Sequence, residues 1–112
     1  MSDERRYRIE FTDASEADLE AIHDYLVAHD PHAADLLLDR LVEKAVSLAS
    51  FPDRGSIPDD LAAMGVHDHR QLLLSPYRMI YHVGPEIVAI VLIADGRRDM
   101  RALLRYRLLT AR

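Results

Sequence analysis

The sequence contains no cysteine, which excludes disulfides and thiolate metal sites. The absence is neutral on compartment and fits a reducing, cytoplasmic setting. No hydrophobic run is long enough to cross a bilayer. The longest, Ile87 to Ala94, falls far short of the roughly 20 residues a spanning helix needs, so no membrane association is expected. The N-terminal stretch Met1-Ser2-Asp3-Glu4-Arg5-Arg6 is charged and leads into no apolar segment, so no signal peptide is visible. Glycine is scarce. The four present form no phosphate-cradling loop or dinucleotide turn, and no Ser-His-Asp elbow appears; no cofactor is expected. Lysine is nearly missing, Lys44 being the only one.

What is present is an ordinary globular composition. The 112 residues are 49% hydrophobic and 29% charged, enough for one core and one domain spanning 1–112. The net charge of −5 argues mildly against bulk nucleic-acid binding. That charge is unevenly placed. Met1 to Asp68 carries 16 acids against six Lys/Arg, whereas His69 to Arg112 carries three acids against eight Arg. A basic C-terminal element thus sits on an acidic body. Its cations are all arginine, which suits bidentate pairing with carboxylate or phosphate. Internal ion pairs and a solvated face would account for the same residues equally well.

Tyr7-Arg8-Ile9-Glu10-Phe11 alternates apolar and polar and predicts a strand. Thr12-Asp13 offers a helix N-cap, with Glu16 placed as a capping-box partner to Asp13. Leu19, Ile22, Tyr25 and Leu26 then recur at helical spacing, giving a helix over about Asp13–Ala28. His29-Asp30-Pro31 breaks it. Asp30 and Pro31 start a second helix over about Pro31–Ser50, whose broad apolar stripe includes Leu37, Leu41 and Val46. So short a connection makes the pair an antiparallel hairpin. Pro52 to Gly65 reads as a loop. The period then changes to two, giving strands over His67–Leu74, Tyr77–Val83 and Ile87–Ala94 with hairpin connections. The last is apolar on both faces, which predicts a central, buried strand. Asp99 can cap a final helix over about Met100–Leu109. The fold class is therefore α+β: an N-terminal strand, a helical hairpin packed on a mainly antiparallel sheet, and a short C-terminal helix. Leu37, Leu41, Val46, Ile80, Val91 and Ile93 are the expected core.

His67 and His69 fall on one face of a predicted strand, and His82 falls on its neighbour. Three imidazoles can hold a metal. Partly exposed strand histidines with no acidic support evident in the sequence are the better reading, so no metal is expected. Asp18, Glu20 and Asp24 make a solvated helix face rather than an acid pair, since nothing in the sequence sets their pKa values apart.

Several short motifs occur in a specific order. Ala17-Asp18-Leu19-x-x-Ile22-x-x-Tyr25 lies in the first helix. Phe51-Pro52-x-x-Gly55 follows the second, and Arg70-x-Leu72 the loop. Then come Tyr77-Arg78-Met79-Ile80-Tyr81-x-Val83 and Gly96-Arg97-Arg98-Asp99-Met100-Arg101-x-Leu103-Leu104. Together they resemble the RelE/ParE toxin superfamily from Tyr7 to Leu104, and ParE-like members most in the first helix and C-terminal part.

The resemblance implies the toxin of a type II toxin–antitoxin pair, a class associated with plasmid stabilisation and growth arrest. It implies a cognate antitoxin, commonly an acidic chain that folds on binding, through which operator DNA is reached. ParE-like members bind and poison DNA gyrase without chemistry of their own. On that reading there are no catalytic residues, and Arg78, Arg97, Arg98, Arg101 and Arg105 are contacts for antitoxin or target. The alternative is a RelE-like endoribonuclease acting on messenger RNA in the ribosome, with Arg70, Arg78, His82 and Arg98 as its candidate set. That set departs from the family pattern. The second basic strand position falls on Gln71 or Leu72, Asp95 stands where histidine is frequent, and Tyr106 lies two residues late. Arginine, protonated near neutrality, is a poor proton shuttle, which leaves His82 as the one residue suited to proton transfer. A third alternative is a non-toxic co-repressor bound to its antitoxin.

Overall fold

A computed structural model describes residues 6–110. Its elements run β1 (Arg8–Phe11), α1 (Asp13–Val27), α2 (Pro31–Val46), α3 (Asp59–Ala63), β2 (His69–Leu74), β3 (Tyr77–Val83), β4 (Ile87–Asp95) and α4 (Met100–Thr110), with a 3-10 turn at Ser47–Ala49. No helix among the described residues is long and apolar enough to cross a membrane.

The caps explain where the helices begin. Thr12, in extended conformation, accepts from the amide of Ser15 and is the N-cap of α1. Asp13 is therefore the first helical residue, and Glu16 does not form the expected capping box. Ser15 returns its hydroxyl to the Thr12 carbonyl at 3.0 Å and is fully buried. Asp30 caps α2 through the amide of Ala33, with Pro31 at the first position, where its missing N–H costs nothing. Asp99 accepts from the amide of Ala102 and caps α4.

The sheet has the order β1-β4-β3-β2. β2–β3 and β3–β4 are antiparallel, while β1 pairs parallel with β4 at Ile87–Ile90. β4 is central, as its apolar faces required. Its register slips by one residue between Ile80↔Leu92 and Tyr81↔Ile90, leaving Val91 unmatched as a bulge.

Each sheet face has its own core. Leu41, Ala45 and Leu48 of the hairpin side pack with Leu72, Met79, Tyr81 and Ile90. On the other face, Leu61 of α3 and Met100 and Leu104 of α4 pack with Ile80 and Leu92. The sheet is thus covered on both sides.

Among the expected core residues, Leu41, Ile80 and Ile93 are buried, while Leu37 and Val91 are half-buried against the two cores. Val46 is 50% exposed. The buried face of α2 runs through Ala34, Leu41 and Ala45, and Val46 lies about 100° round the helix from Ala45. The predicted second helix also ends early, at Val46, where the chain tightens into the 3-10 turn. The predicted loop contains α3, and β2 begins at His69, so His67 stands outside the strand.

Candidate partner-binding site

β1 covers only part of the β4 edge. Beyond it, α1 and α4 take over. The Thr12 amide donates to the Ile90 carbonyl at 3.0 Å. The Ile93 amide donates to Asp18 at 2.9 Å, and Arg107 donates to the Val91 carbonyl at 2.9 Å. Arg107 also makes two hydrogen bonds to the Asp18 carboxylate, at 2.8 and 2.9 Å, with both side chains 14% exposed. The hydrogen bond from Arg107 to Asp18 holds the guanidinium pKa above its ordinary value. Further along, α1 stands off the strand and leaves a groove of about 440 Å³. Ile22, Tyr25 and Leu26 form one wall, Tyr77 and Ile93 the floor, and Arg97 and Arg98 one end. Tyr25 is 72% exposed. The groove is apolar along its length; Asp18, Asp95, Arg97 and Arg98 also line it, and because Asp95 is paired with Arg97 and Asp18 with Arg107, Arg98 is the lining charge with no ion pair among the described residues.

The candidate arginines divide sharply. Arg78 is 15% exposed and forms a bidentate pair with Asp60 of α3 at 2.8 and 3.0 Å, while its Nε donates to Gln71 at 2.8 Å. The Arg78 hydrogen bond is the main reason the Asp60 pKa lies below the usual carboxylate range. Arg97 folds back on Asp95, with Nε to Oδ1 at 2.9 Å. That bond, with the Arg97 amide, brings the Asp95 pKa down to about 2. Arg70 donates to the Gly55 carbonyl at 2.7 Å. Arg98, Arg101 and Arg105 are exposed, and no ion pair holds them among the described residues.

Within the ribonuclease set, Arg70 stands apart from Arg78 and His82. Arg70 pairs in register with Tyr81, whose side chain belongs to the hairpin-side core; it therefore points away from Arg78 and His82. Arg78 and His82 share the α4 face of β3 but answer to different acids. His82 lies opposite His69, ring centroids 5.2 Å apart. Asp68 accepts from His69 Nδ1 at 2.9 Å and stands 3.7 Å from His82 Nε2. That hydrogen bond to His69 lowers the Asp68 pKa. Asp68 is the acidic support missing from the sequence reading, and adjacency to His69 was its only signal. The described residues hold no group of three or more His, Cys, Asp or Glu able to bind a metal.

The Phe51-Pro52-x-x-Gly55 motif has a structural purpose. The buried Tyr81 hydroxyl donates to the Pro52 carbonyl at 2.8 Å and accepts from the Gly55 amide at 3.0 Å. A Cβ at Gly55 would stand 2.4 Å from the Gln71 carbonyl oxygen and 2.6 Å from the Tyr81 hydroxyl. Only glycine lets the loop approach this closely. Burial raises the Tyr81 pKa.

Comparison with known proteins agrees with this architecture. The family model for the ParE toxin of the type II toxin–antitoxin system parDE matches residues 9–100. Toxin RelE2 of Caulobacter vibrioides is 37% identical over 82 residues, covering 73% of this chain and 86% of the relative. The chromosomal ParDE system of P. aeruginosa shares the fold at TM-score 0.69 and 23% identity, over 81% of this chain and 97% of that one. The RelBE2 toxin–antitoxin complex of Mycobacterium tuberculosis does so at 0.58 and 20%, over 85% and 97%. A free E. coli RelE mutant does so at 0.59 and 12%, over 88% and 92%. With its strand order, two-sided core and motifs accounted for, the chain belongs to the ParE toxin family of type II toxin–antitoxin systems.

Proposed function

We propose that this toxin acts by binding DNA gyrase rather than by cleaving RNA, and that its cognate antitoxin neutralises it by occupying the groove between α1 and β4. The observation that carries the first half is the engagement of Arg78. A ribonuclease on this strand would need that guanidinium for the scissile phosphate. Here it already makes two hydrogen bonds to Asp60 and one to Gln71. His82, the proton-transfer candidate, stands beside Asp68 and His69 instead. A phosphate at Arg78 would have to displace a bidentate carboxylate, which is among the stronger pairings available to arginine.

The antitoxin half rests on the groove's chemistry. An amphipathic helix or strand would lay apolar side chains against Ile22, Tyr25 and Tyr77 and bring acids to Arg97 and Arg98. Because Arg97 is already bonded to Asp95, Arg98 carries more of this contact than its neighbour. Of the five arginines expected as contacts, Arg78 is engaged by Asp60 and Gln71, and Arg101 and Arg105 lie on α4 outside the groove lining.

Purified toxin incubated with gyrase and supercoiled plasmid tests the reading, beside a parallel assay on translating ribosomes. Trapped, cleaved plasmid is the expected result. Site-specific message cleavage that disappears in His82→Ala or Arg78→Ala would replace it with the ribonuclease reading. Inactivity in both assays, with intact antitoxin binding, would indicate a co-repressor.

A further inference from the structure

We infer that the exposed face of α4, with Arg101 and Arg105 and with Arg98 in the turn leading into it, is a contact surface for the phosphate backbone of duplex DNA. The starting point is the sorting of the C-terminal arginines. Arg78, Arg97 and Arg107 are bound to Asp60, Asp95 and Asp18, and Arg70 to backbone carbonyls. The described remainder, Arg98, Arg101 and Arg105, are exposed and unpaired among the described residues. Met100 and Leu104, about 100° round α4 from the arginines, are buried, so the helix is fixed with Arg101 and Arg105 exposed. Asp99 stands at the start of this face, but its carboxylate is engaged in capping Ala102.

The charge is also directed. The helical hairpin, residues 13–46, holds nine acids against Arg40 and Lys44 and covers the other face of the sheet. A polyanion is repelled there; on the α4 side Asp60 is paired with Arg78, and Asp59 and Asp68 are exposed acids that oppose the three arginines, so α4 itself is where a polyanion is favoured. Arg101 and Arg105 are one turn apart, about 6 Å along a rigid axis. Duplex DNA offers a similarly regular row of phosphates, at one charge per roughly 1.7 Å of axis. Arginine binds phosphate bidentately. This surface is independent of which target the toxin acts on. It concerns contact with the phosphate backbone, which carries no sequence information.

Fluorescence anisotropy of a labelled 20-base-pair duplex, from 50 to 200 mM KCl, tests it. With three phosphates engaged, the slope of log affinity against log salt should be roughly −2.7, a loss of roughly 40-fold across that range. The Arg98→Gln, Arg101→Gln, Arg105→Gln triple variant should lose most of the binding and the slope. Arg101→Gln/Arg105→Gln, which spares the groove, should lose about two-thirds of the slope, and Arg101→Lys/Arg105→Lys should keep it. Circular dichroism and retained antitoxin binding would verify that the double variants are folded. The inference is overturned if the wild type does not bind duplex at 50 mM KCl, or if the Gln variants bind like the wild type. A polyglutamate peptide that binds more tightly than DNA, and is lost in the same variants, would also overturn it in favour of an acidic protein partner.

Discussion

Replacing Tyr81 with phenylalanine removes one oxygen and breaks two hydrogen bonds. The ring stays, fully buried in the hairpin-side core, so apolar packing is nearly unchanged. What is lost is the bridge between Pro52 and Gly55. The Gly55 amide is buried there, and an orphaned buried donor costs about 1–3 kcal/mol. The Pro52 carbonyl is only part-buried, so water can partly replace the hydroxyl and the cost is about 1 kcal/mol. The sum is about 2–4 kcal/mol. For a domain of this size each kcal/mol moves Tm by roughly 4 °C, so a fall of roughly 8–16 °C is expected. Urea unfolding should show a lower midpoint with an unchanged m-value, because the same surface is exposed. The pH dependence should change as well. Burial raises the Tyr81 pKa in the folded state, so the neutral phenol's contribution is present below the unfolded value of about 10 and is lost as pH rises through the folded value. Tyr77 is shifted the same way, chiefly by burial, so Tyr81→Phe should reduce the alkaline loss of stability without abolishing it. Gly55→Ala must displace both the hydroxyl and the Gln71 carbonyl, and Tyr81→Phe removes the first of these clashes. The cost of Gly55→Ala should be smaller in the Tyr81→Phe background, a coupling that neighbouring sites show and distant ones do not. A Tyr81→Phe loss under about 0.5 kcal/mol, below the net worth of even one hydrogen bond, would refute the bridge as the reason for the motif.

Leu41→Ala, at the centre of the hairpin-side core, should cost about 2–5 kcal/mol in the same urea assay. Asp18→Ala strips Arg107 and the Ile93 amide of their shared partner; a loss of about 3 kcal/mol is expected, at the low end for a broken buried pair because both side chains retain some exposure. The Asp60, Asp68 and Asp95 pKa values are all depressed when folded, so their contributions are complete above the unfolded value of about 3.9 and fade as pH falls through the lower folded values. Thermal melts from pH 2 to 6 should show that decline, and Asp60→Asn should shallow it. Charge reversal at Arg97 and Arg98 should weaken antitoxin binding mainly at low salt, with Arg98 the larger single effect; unchanged affinity would move the docking surface off the groove.

The long periodic segments were readable because their burial is one-sided and repeated. The hairpin and the β3–β4 pair appear within a residue or two of where the spacing puts them, apart from the early end of α2. Failures fall where local pattern carries no information about partners. α3 has five residues and begins after Pro58 with two aspartates, a composition that also makes a turn. Val46 belongs to a stripe too broad for spacing alone to choose its buried edge. The arginine count was legible, but which arginines meet acids was not. Asp60 lies 18 residues from Arg78, and Asp18 lies 89 from Arg107. Those pairings exist only after the chain has closed, and they decide which cations remain for a partner.

The same closure links stability to binding at the β4 edge. An uncovered strand edge invites pairing with other chains. This fold answers the problem along one stretch, where Thr12, Asp18 and Arg107 bond to β4 at Ile90, Ile93 and Val91. The protection depends on α1 lying close, and it ends where α1 stands off to form the groove. At that point the strand has passed Ile93 and the next acid, Asp95, is bonded to Arg97. Strengthening the guard further along would fill the groove; weakening it at Asp18 would release Arg107 from α1. Asp18→Asn therefore separates the two roles. It keeps an acceptor for the Ile93 amide but removes the charge facing Arg107, whose pKa is raised chiefly by that bond. Stability should fall while the groove, of whose lining Asp18 is a part, keeps its apolar wall and its Arg98 end. Antitoxin affinity measured well below the variant's Tm should then stay within a few-fold of wild type, and a large loss would mean that the docking surface includes the Asp18–Arg107 pair itself.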